Sequence, residues 1–280
     1  MRKWVRAYGK RAYFAALILP LLGGLLYIFV IRPISIRGEF SQGLDEWREG
    51  NYLAAISDYQ RFIMRHPYSS LVERALFEVG NIYYLYLGDS LKAVNSLNKL
   101  LQRDPTPFYE FRARMLLARI YQNDYGDYQR AIEQYRRVLD SFGELDQWGE
   151  ACFRLAECYY LLNNIPKAAE HYQSVIKMGG NQQWVERAYL RLGSCLRLRG
   201  DPEGAIQAYR NLLTRGVTKE TESFAKINLA ECLEDKGDYE GALEVLQDVP
   251  AELGEKEAIS RKIERLKSTI ESRSLPPESS

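Results

Sequence analysis

The sequence predicts an all-α fold, an α-solenoid of about six stacked helical hairpins, and three observations predict it. A small residue returns on a near-fixed beat: Ala55, Ala93, Ala131, Ala168, Ala205 and Ala242 stand 38, 38, 37, 37 and 37 residues apart. A fixed period of about 20–50 residues marks a stacked repeat architecture. Four residues after each alanine comes a large apolar residue, Tyr59, Leu97, Tyr135, Tyr172, Tyr209 and Leu246, which one helical turn places on the same face. Twelve or thirteen residues before each alanine stands a second small residue, Gly43, Gly80, Ala118, Ala156, Gly193 and Ala230, where a second helix can approach closely. Each unit therefore reads as two antiparallel helices, and none can bury its apolar face alone.

Taken in order, residues 1–11 form a basic tail carrying Arg2, Lys3, Arg6, Lys10 and Arg11. Ala12 to Ile31 is a run of 20 residues without a charge. As a helix it spans about 30 Å, the thickness of a bilayer core. Pro20 and Gly23-Gly24 are tolerated in membrane helices, and Trp4, Tyr13 and Tyr27 fall where interfacial aromatics sit. Only Arg32 and Arg37 follow before Glu39, so the excess of positive charge puts Met1 in the cytoplasm and the array on the far side. The expectation is a single pass through a cell inner membrane with a periplasmic array. A cleaved signal peptide is the alternative. Its apolar region is ordinarily about 7–15 residues long and ends in a small-residue site, whereas Ile31-Arg32-Pro33-Ile34 offers none. Residues 32–37 read as a linker, 38–251 as the array, 252–272 as a capping helix and 273–280 as a disordered tail with Pro276-Pro277.

Within the array the turns are marked by Gly50-Asn51, Gly88-Asp89, Gly126-Asp127, Asn163-Asn164, Gly200-Asp201 and Gly237-Asp238. The first residue admits the left-handed conformation that ends one helix, and the Asp or Asn caps the next. Pro166 and Pro202 fall at helix starts, where a missing N–H costs little. His66-Pro67 and Asp104-Pro105 close second helices. Beyond Pro250, Ile259, Ile263, Leu266 and Ile270 mark an amphipathic helix, the solvating cap that an end repeat needs.

These residues resemble the tetratricopeptide repeat family. The fourth unit runs Leu155-Ala156, Tyr159, Ala168, Tyr172, Val175, and the fifth Leu192-Gly193, Leu196, Ala205, Tyr209, Leu212. The family's closing proline is present as Pro67 and Pro105; Gly143, Gly180 and Val217 replace it in units three to five. His66-Pro67-Tyr68-Ser69-Ser70 followed by Glu73 to Tyr84 is similar to periplasmic tetratricopeptide-repeat proteins of envelope assembly. The resemblance implies an α-solenoid that binds proteins or peptides, with no cofactor.

Net charge is +1, but residues 1–37 carry seven basic residues and no acidic one, leaving 31 Lys/Arg against 37 Asp/Glu in the remainder. A mildly acidic body argues against nucleic acid as its ligand. Cys158, Cys195 and Cys232 recur 37 residues apart, which invites a metal or redox reading, yet the same slot holds Ile82 and Ile120. The slot is apolar and Cys fills it as a small hydrophobe; neighbouring helices about 8–10 Å apart disfavour a disulfide. Cys152 and Cys158 point to different faces of one helix. His66 and His171 have no ligand-spaced partner, and no phosphate-binding, nucleophile-elbow or zinc-protease motif occurs. The sequence is not expected to be an enzyme.

In the resembled family the first helix of each unit lines the binding groove. Carried over residue by residue, this implies Arg74, Phe77, Asn81 and Tyr84 in the second unit and Arg112, Met115, Arg119 and Gln122 in the third. The fourth offers Glu150, Phe153, Glu157 and Tyr160, the fifth Arg187, Leu190, Ser194 and Arg197, and the sixth Phe224, Ile227, Glu231 and Glu234. Exposed aromatics beside arginine are the usual composition of binding hot spots. The groove is expected to be cationic in its third and fifth units and acidic at its end, with room for a peptide of acidic and apolar residues. The alternative is that these aromatics pack against the neighbouring repeat or the capping helix. The expected function is a membrane-anchored scaffold that holds protein or peptide partners of a cell-envelope machine, with the bilayer met through residues 12–31. The alternative is a structural subunit of a secretion, pilus or flagellar complex held through the convex face.

Overall fold

The recurring alanines are enclosed within the helical packing. Ala55, Ala93, Ala131, Ala168, Ala205 and Ala242 are all fully buried, at 0 % exposure. Their large partners four residues on are buried with them, as a shared helical face requires. The structure is a computed structural model that describes Gly24, Leu26 and residues 32–141, 148–249 and 256–274. It is all-helical over these residues, with adjacent helices paired in solenoid-like fashion. The hairpins are α1 (Arg32–Arg48) with α2 (Tyr52–Arg65), α3 (Leu71–Leu85) with α4 (Ser90–Leu101), and α5 (Pro107–Asn123) with α6 (Tyr128–Ser141). They continue with α7 (Trp148–Leu161) and α8 (Ile165–Met178), α9 (Gln182–Leu198) and α10 (Pro202–Leu213), and α11 (Lys219–Asp235) and α12 (Tyr239–Gln247). A last helix, α13 (Lys256–Ser274), stands where the cap was expected.

Where the second small residue of a unit is glycine, it makes room for the large side chain of the paired helix. A Cβ added at Gly43 would lie 2.9 Å from the Tyr59 ring, and one at Gly80 3.0 Å from Leu97. At Gly193 it would collide with the ring of Tyr209. The turns follow the sequence. Gly50, Gly88, Gly126, Gly200 and Gly237 all take positive φ, and Asn163 does so at φ 56°. Five of the six Asp and Asn residues that follow cap the second helices: Asp89 accepts from the Lys92 N–H, Asp127 from Arg130, Asn164 from Lys167, Asp201 from Gly204 and Asp238 from Gly241; Asn51 does not, its side chain making no cap hydrogen bond and its amide donating to Glu49 instead. Each cap satisfies a backbone donor that the first turn leaves unpaired.

The chain divides into two compact units, residues 1–113 and 114–280. In the first, Phe40 packs on Tyr59 and Phe62 with ring centroids 5.3 and 5.5 Å apart, and the buried Ser96 hydroxyl donates to the Leu76 carbonyl at 2.8 Å. In the second, one cluster joins Cys152, Phe153, Ala156, Ala168, Tyr172, Val175 and Cys195. A further cluster joins Ala205, Tyr209, Cys232, Leu233 and Leu246 to Leu266 of the cap. The four cysteines are buried, and Cys158, Cys195 and Cys232 share the apolar slot of Ile82 and Ile120. The packing makes one prediction here. Ala168→Leu must force a larger side chain into the seam and should cost about 1–3 kcal/mol; an unchanged urea midpoint would show that the seam is not at this residue.

Two expectations are corrected. Residues 32–37, read as a linker, are helical and belong to α1, which runs without a break to Arg48. The expected localisation, a single pass with a periplasmic array, is not supported: among the described residues no helix is long and apolar enough to cross a membrane. Of the span 12–31 only Gly24 and Leu26 are described, so the span, the tail 1–11, the corner at Gly143 and the end 275–280 lie outside the described residues.

Candidate functional site

First helices present the residues that the resemblance marks as groove positions, because a spacing of three and four residues keeps one face of a helix in line. In the first unit that face is a set of stacked cations. The Arg112 guanidinium lies 4.1 Å from the centroid of Phe77 and 5.4 Å from that of Phe108. Arg74 lies 5.1 Å from Phe40 and its Nε is 4.0 Å from Glu78. Burial pushes the Glu78 carboxyl up, against the pull of Arg112, Arg74 and the Asn81 amide. Tyr84 is half-buried at the end of the same face.

In the second unit the face carries a ladder of ion pairs from one repeat to the next. Arg119 reaches Glu150 at 3.6 Å, and Arg191 reaches Glu157 at 2.9 Å. Arg197 donates to Glu231 and Asp235, both at 2.6 Å. The cap continues the ladder: Lys262 meets Glu231 at 3.2 Å and Glu234 at 3.1 Å, and Arg265 pairs with Glu234. Two expected features are therefore corrected. The third and fifth units are not open cationic surfaces at Arg119 and Arg197, and the acidic end is neutralised by the cap. Opposite charges one repeat apart meet because stacked first helices hold them side by side.

The expected aromatic anchors are also redistributed. Phe77 and Phe153 are each 4 % exposed and Met115 is 7 % exposed, so these three pack rather than project. Phe153 lies 5.4 Å from the Tyr172 ring and 5.2 Å from that of Trp184. Gln122 is buried and accepts from the Tyr135 hydroxyl at 3.0 Å. Tyr160 is covered by Arg191, 5.7 Å from its ring centroid. Phe224, by contrast, remains 47 % exposed.

Six of the anticipated residues converge. Phe153, Glu157, Arg187, Leu190, Ser194 and Phe224 line one concavity of about 390 Å³ on the first helices α7, α9 and α11, together with Arg191 and Asn228. Within it the Tyr172 hydroxyl donates to Glu157 at 3.3 Å and the Asn228 amide donates to the Phe224 carbonyl at 2.7 Å. Arg187 rests over Trp184 at 5.3 Å from the ring centroid. Among the described residues it has no carboxylate partner, which sets it apart from Arg119, Arg191 and Arg197. Sequence reasoning missed Arg191, Asn228 and Trp184. Arg191 and Asn228 stand one turn after Arg187 and Phe224, and Trp184 one turn before Arg187, so the spacing that marked the anticipated residues extends to them.

With that geometry in view, two family profiles, both described as tetratricopeptide repeat, match residues 82–143 and 124–182 and residues 187–215. The chain carries tetratricopeptide repeats. No curated protein matches the sequence. Solved structures match the fold of these tetratricopeptide repeats. One is YrrB, a tetratricopeptide-repeat protein described as having an unusual peptide-binding site: TM-score 0.57 and 15% identity over 74% of this chain and 97% of that one. A second is the type IV pilus biogenesis factor PilW, at TM-score 0.55 and 13% identity over 81% and 98% of the two chains. A third, from Parabacteroides merdae, gives 0.54 and 14% over 83% and 99%. At these identities the likeness concerns the fold.

Proposed function

We propose that the second unit of this tetratricopeptide-repeat chain is a protein-interaction module that binds an extended peptide segment of a partner. The segment lies in the concavity between α7, α9 and α11, with an acidic side chain on Arg187 and an apolar one against Phe224 and Leu190. One observation carries the reading: Arg187 keeps its charge uncommitted at the edge of the concavity, while the cations around it are already paired. A planar guanidinium backed by Trp184 keeps its N–H edge for a carboxylate. A volume of about 390 Å³ falls within the usual range of ligand clefts, about 300–1,000 Å³, and an exposed aromatic beside arginine suits a hot spot. The peptide-binding site named for YrrB supports the same class of ligand.

The test is fluorescence polarisation with a library of short peptides that pair one acidic with one apolar residue. Arg187→Ala and Phe224→Ala should each weaken the selected peptide about tenfold, or about 1.4 kcal/mol. Arg210→Ala, exposed on a second helix, should leave it unchanged. Equal binding by all three variants would remove this site from the function. A second reading, a subunit held through second-helix surfaces, is favoured by a cleft of about 450 Å³ in the first unit, lined by Ile63 and Met64 of α2, Val79 of α3 and Lys99 of α4. A partner retained by Phe224→Ala and lost on Met64→Glu would shift the function there.

A further inference from the structure

A third concavity, also of about 450 Å³, opens in the first unit between α1 and the corner that joins α2 to α3. Arg32 and Arg37 reach it from α1, and Arg65, His66, Ser69 and Ser70 from the corner. No carboxylate lines it. One lies beside it: Glu39 Oε2 stands 3.4 Å from Arg65 and 3.2 Å from His66 Nε2. The His66 ring first, and then the Arg65 guanidinium, hold the Glu39 carboxyl below the usual carboxylate range, so it stays ionised at neutral pH. Arg32 and Arg37 have no carboxylate partner among the described residues. Three guanidinium charges against one carboxylate leave a surplus of about two positive charges, His66 aside, around a space larger than a single carboxylate needs.

A phosphate monoester carries about −1.5 to −2 charges at pH 7 and presents three acceptor oxygens. Guanidinium forks match those oxygens two at a time, and Ser69 and Ser70 line the same pocket. A lone carboxylate would cancel only half the surplus. We propose that this pocket binds a phosphate group, held chiefly by Arg32 and Arg37, with Arg65 contributing the part of its charge that Glu39 leaves. The group could be carried by a phospholipid headgroup or by a soluble phosphate ester; the pocket recognises the chemistry that the two share. The site is separate from the peptide concavity and does not depend on it.

The experiment uses the full chain and its Arg32→Gln/Arg37→Gln variant, with Arg210→Gln as the control for general loss of charge. Calorimetric titration with glycerol 3-phosphate tests the soluble source. Co-sedimentation with phosphatidylcholine vesicles, with and without phosphatidic acid, tests the headgroup. The proposal expects at least a tenfold loss of affinity in the double variant and none in the control, in the arm that corresponds to the natural source. Binding to glycerol 3-phosphate assigns a soluble ester; binding that needs phosphatidic acid assigns a headgroup. Equal behaviour of the wild type and the double variant in both arms would overturn the proposal, as would an equal loss in the control. Arg37→Gln alone gives a second variant should the pair disturb α1, and unchanged thermal melting verifies that each variant folds.

Discussion

At pH 10 the folded chain should be less stable than at pH 7.5 by about 5–6 kcal/mol, with the loss beginning near pH 9. The cause is the set of four buried thiols. Burial pushes Cys152 and Cys158 up to about 12 and Cys195 and Cys232 up to about 11, from an ordinary 9.0. Between these values the unfolded chain has released protons that the folded chain still holds. A group raised on folding gives stability that is complete below its unfolded value and is lost as pH rises towards the folded one. One pH unit above the unfolded value costs about 1.4 kcal/mol per group, so four thiols give the quoted sum. Above pH 10 the tyrosines join, since burial also raises Tyr59 and Tyr209 to about 12. Urea midpoints at pH 7.5, 9 and 10 measure the effect. Replacing Cys158 with Val should flatten the profile by about a quarter, and a profile flat from pH 8 to 10 would mean that these thiols are not sequestered.

Tyr172→Ala should cost about 3–5 kcal/mol, the range for removing a large buried aromatic. Tyr172 has no exposure. It fills the seam between α7 and α8 beside Phe153, Ala156 and Val175, and its hydroxyl donates to Glu157 at 3.3 Å. Truncation leaves a cavity that fixed helices cannot close, and strips one partner from a carboxylate that also holds Arg191. Tyr172→Phe keeps the ring and removes only the hydroxyl, so it should lose about 1–2 kcal/mol. A urea titration of both variants separates the ring from the hydroxyl. Equal small losses would mean that the ring does not fill the seam.

The fold was legible because its tightest contacts tolerate few side chains. Ala168 is fully enclosed in the packing of its cluster, and a Cβ added at Gly193 would collide with the Tyr209 ring, so the repeat declares itself in small residues. The turns were legible for a conformational reason: the left-handed positions want Gly or Asn, and the helix start after them wants Asp or Asn. The site was legible only by position. Periodicity marked Phe153 and Arg197 as residues of one face, but burial and charge depend on what the adjoining repeat supplies. Phe153 is covered by Trp184, 31 residues on, and Arg197 is neutralised by Glu231 and Asp235, 34 and 38 residues on. The helix over residues 32–37 was missed because six residues with a proline look like a linker, although they are one with the helix that runs to Arg48.

The account of function rests on Arg187 being the arginine of the α7–α9–α11 concavity that has no carboxylate partner among the described residues, and a charge exchange tests it most directly. The affinity of wild-type chain and Arg187→Glu is measured for the selected acidic peptide and for the same peptide with lysine in place of its acidic residue. The account predicts that Arg187→Glu loses the acidic peptide by at least tenfold and recovers the lysine peptide, giving a coupling of at least about 1.5 kcal/mol. Independent losses with no recovery, or an acidic peptide that binds Arg187→Glu as well as wild type, would contradict it.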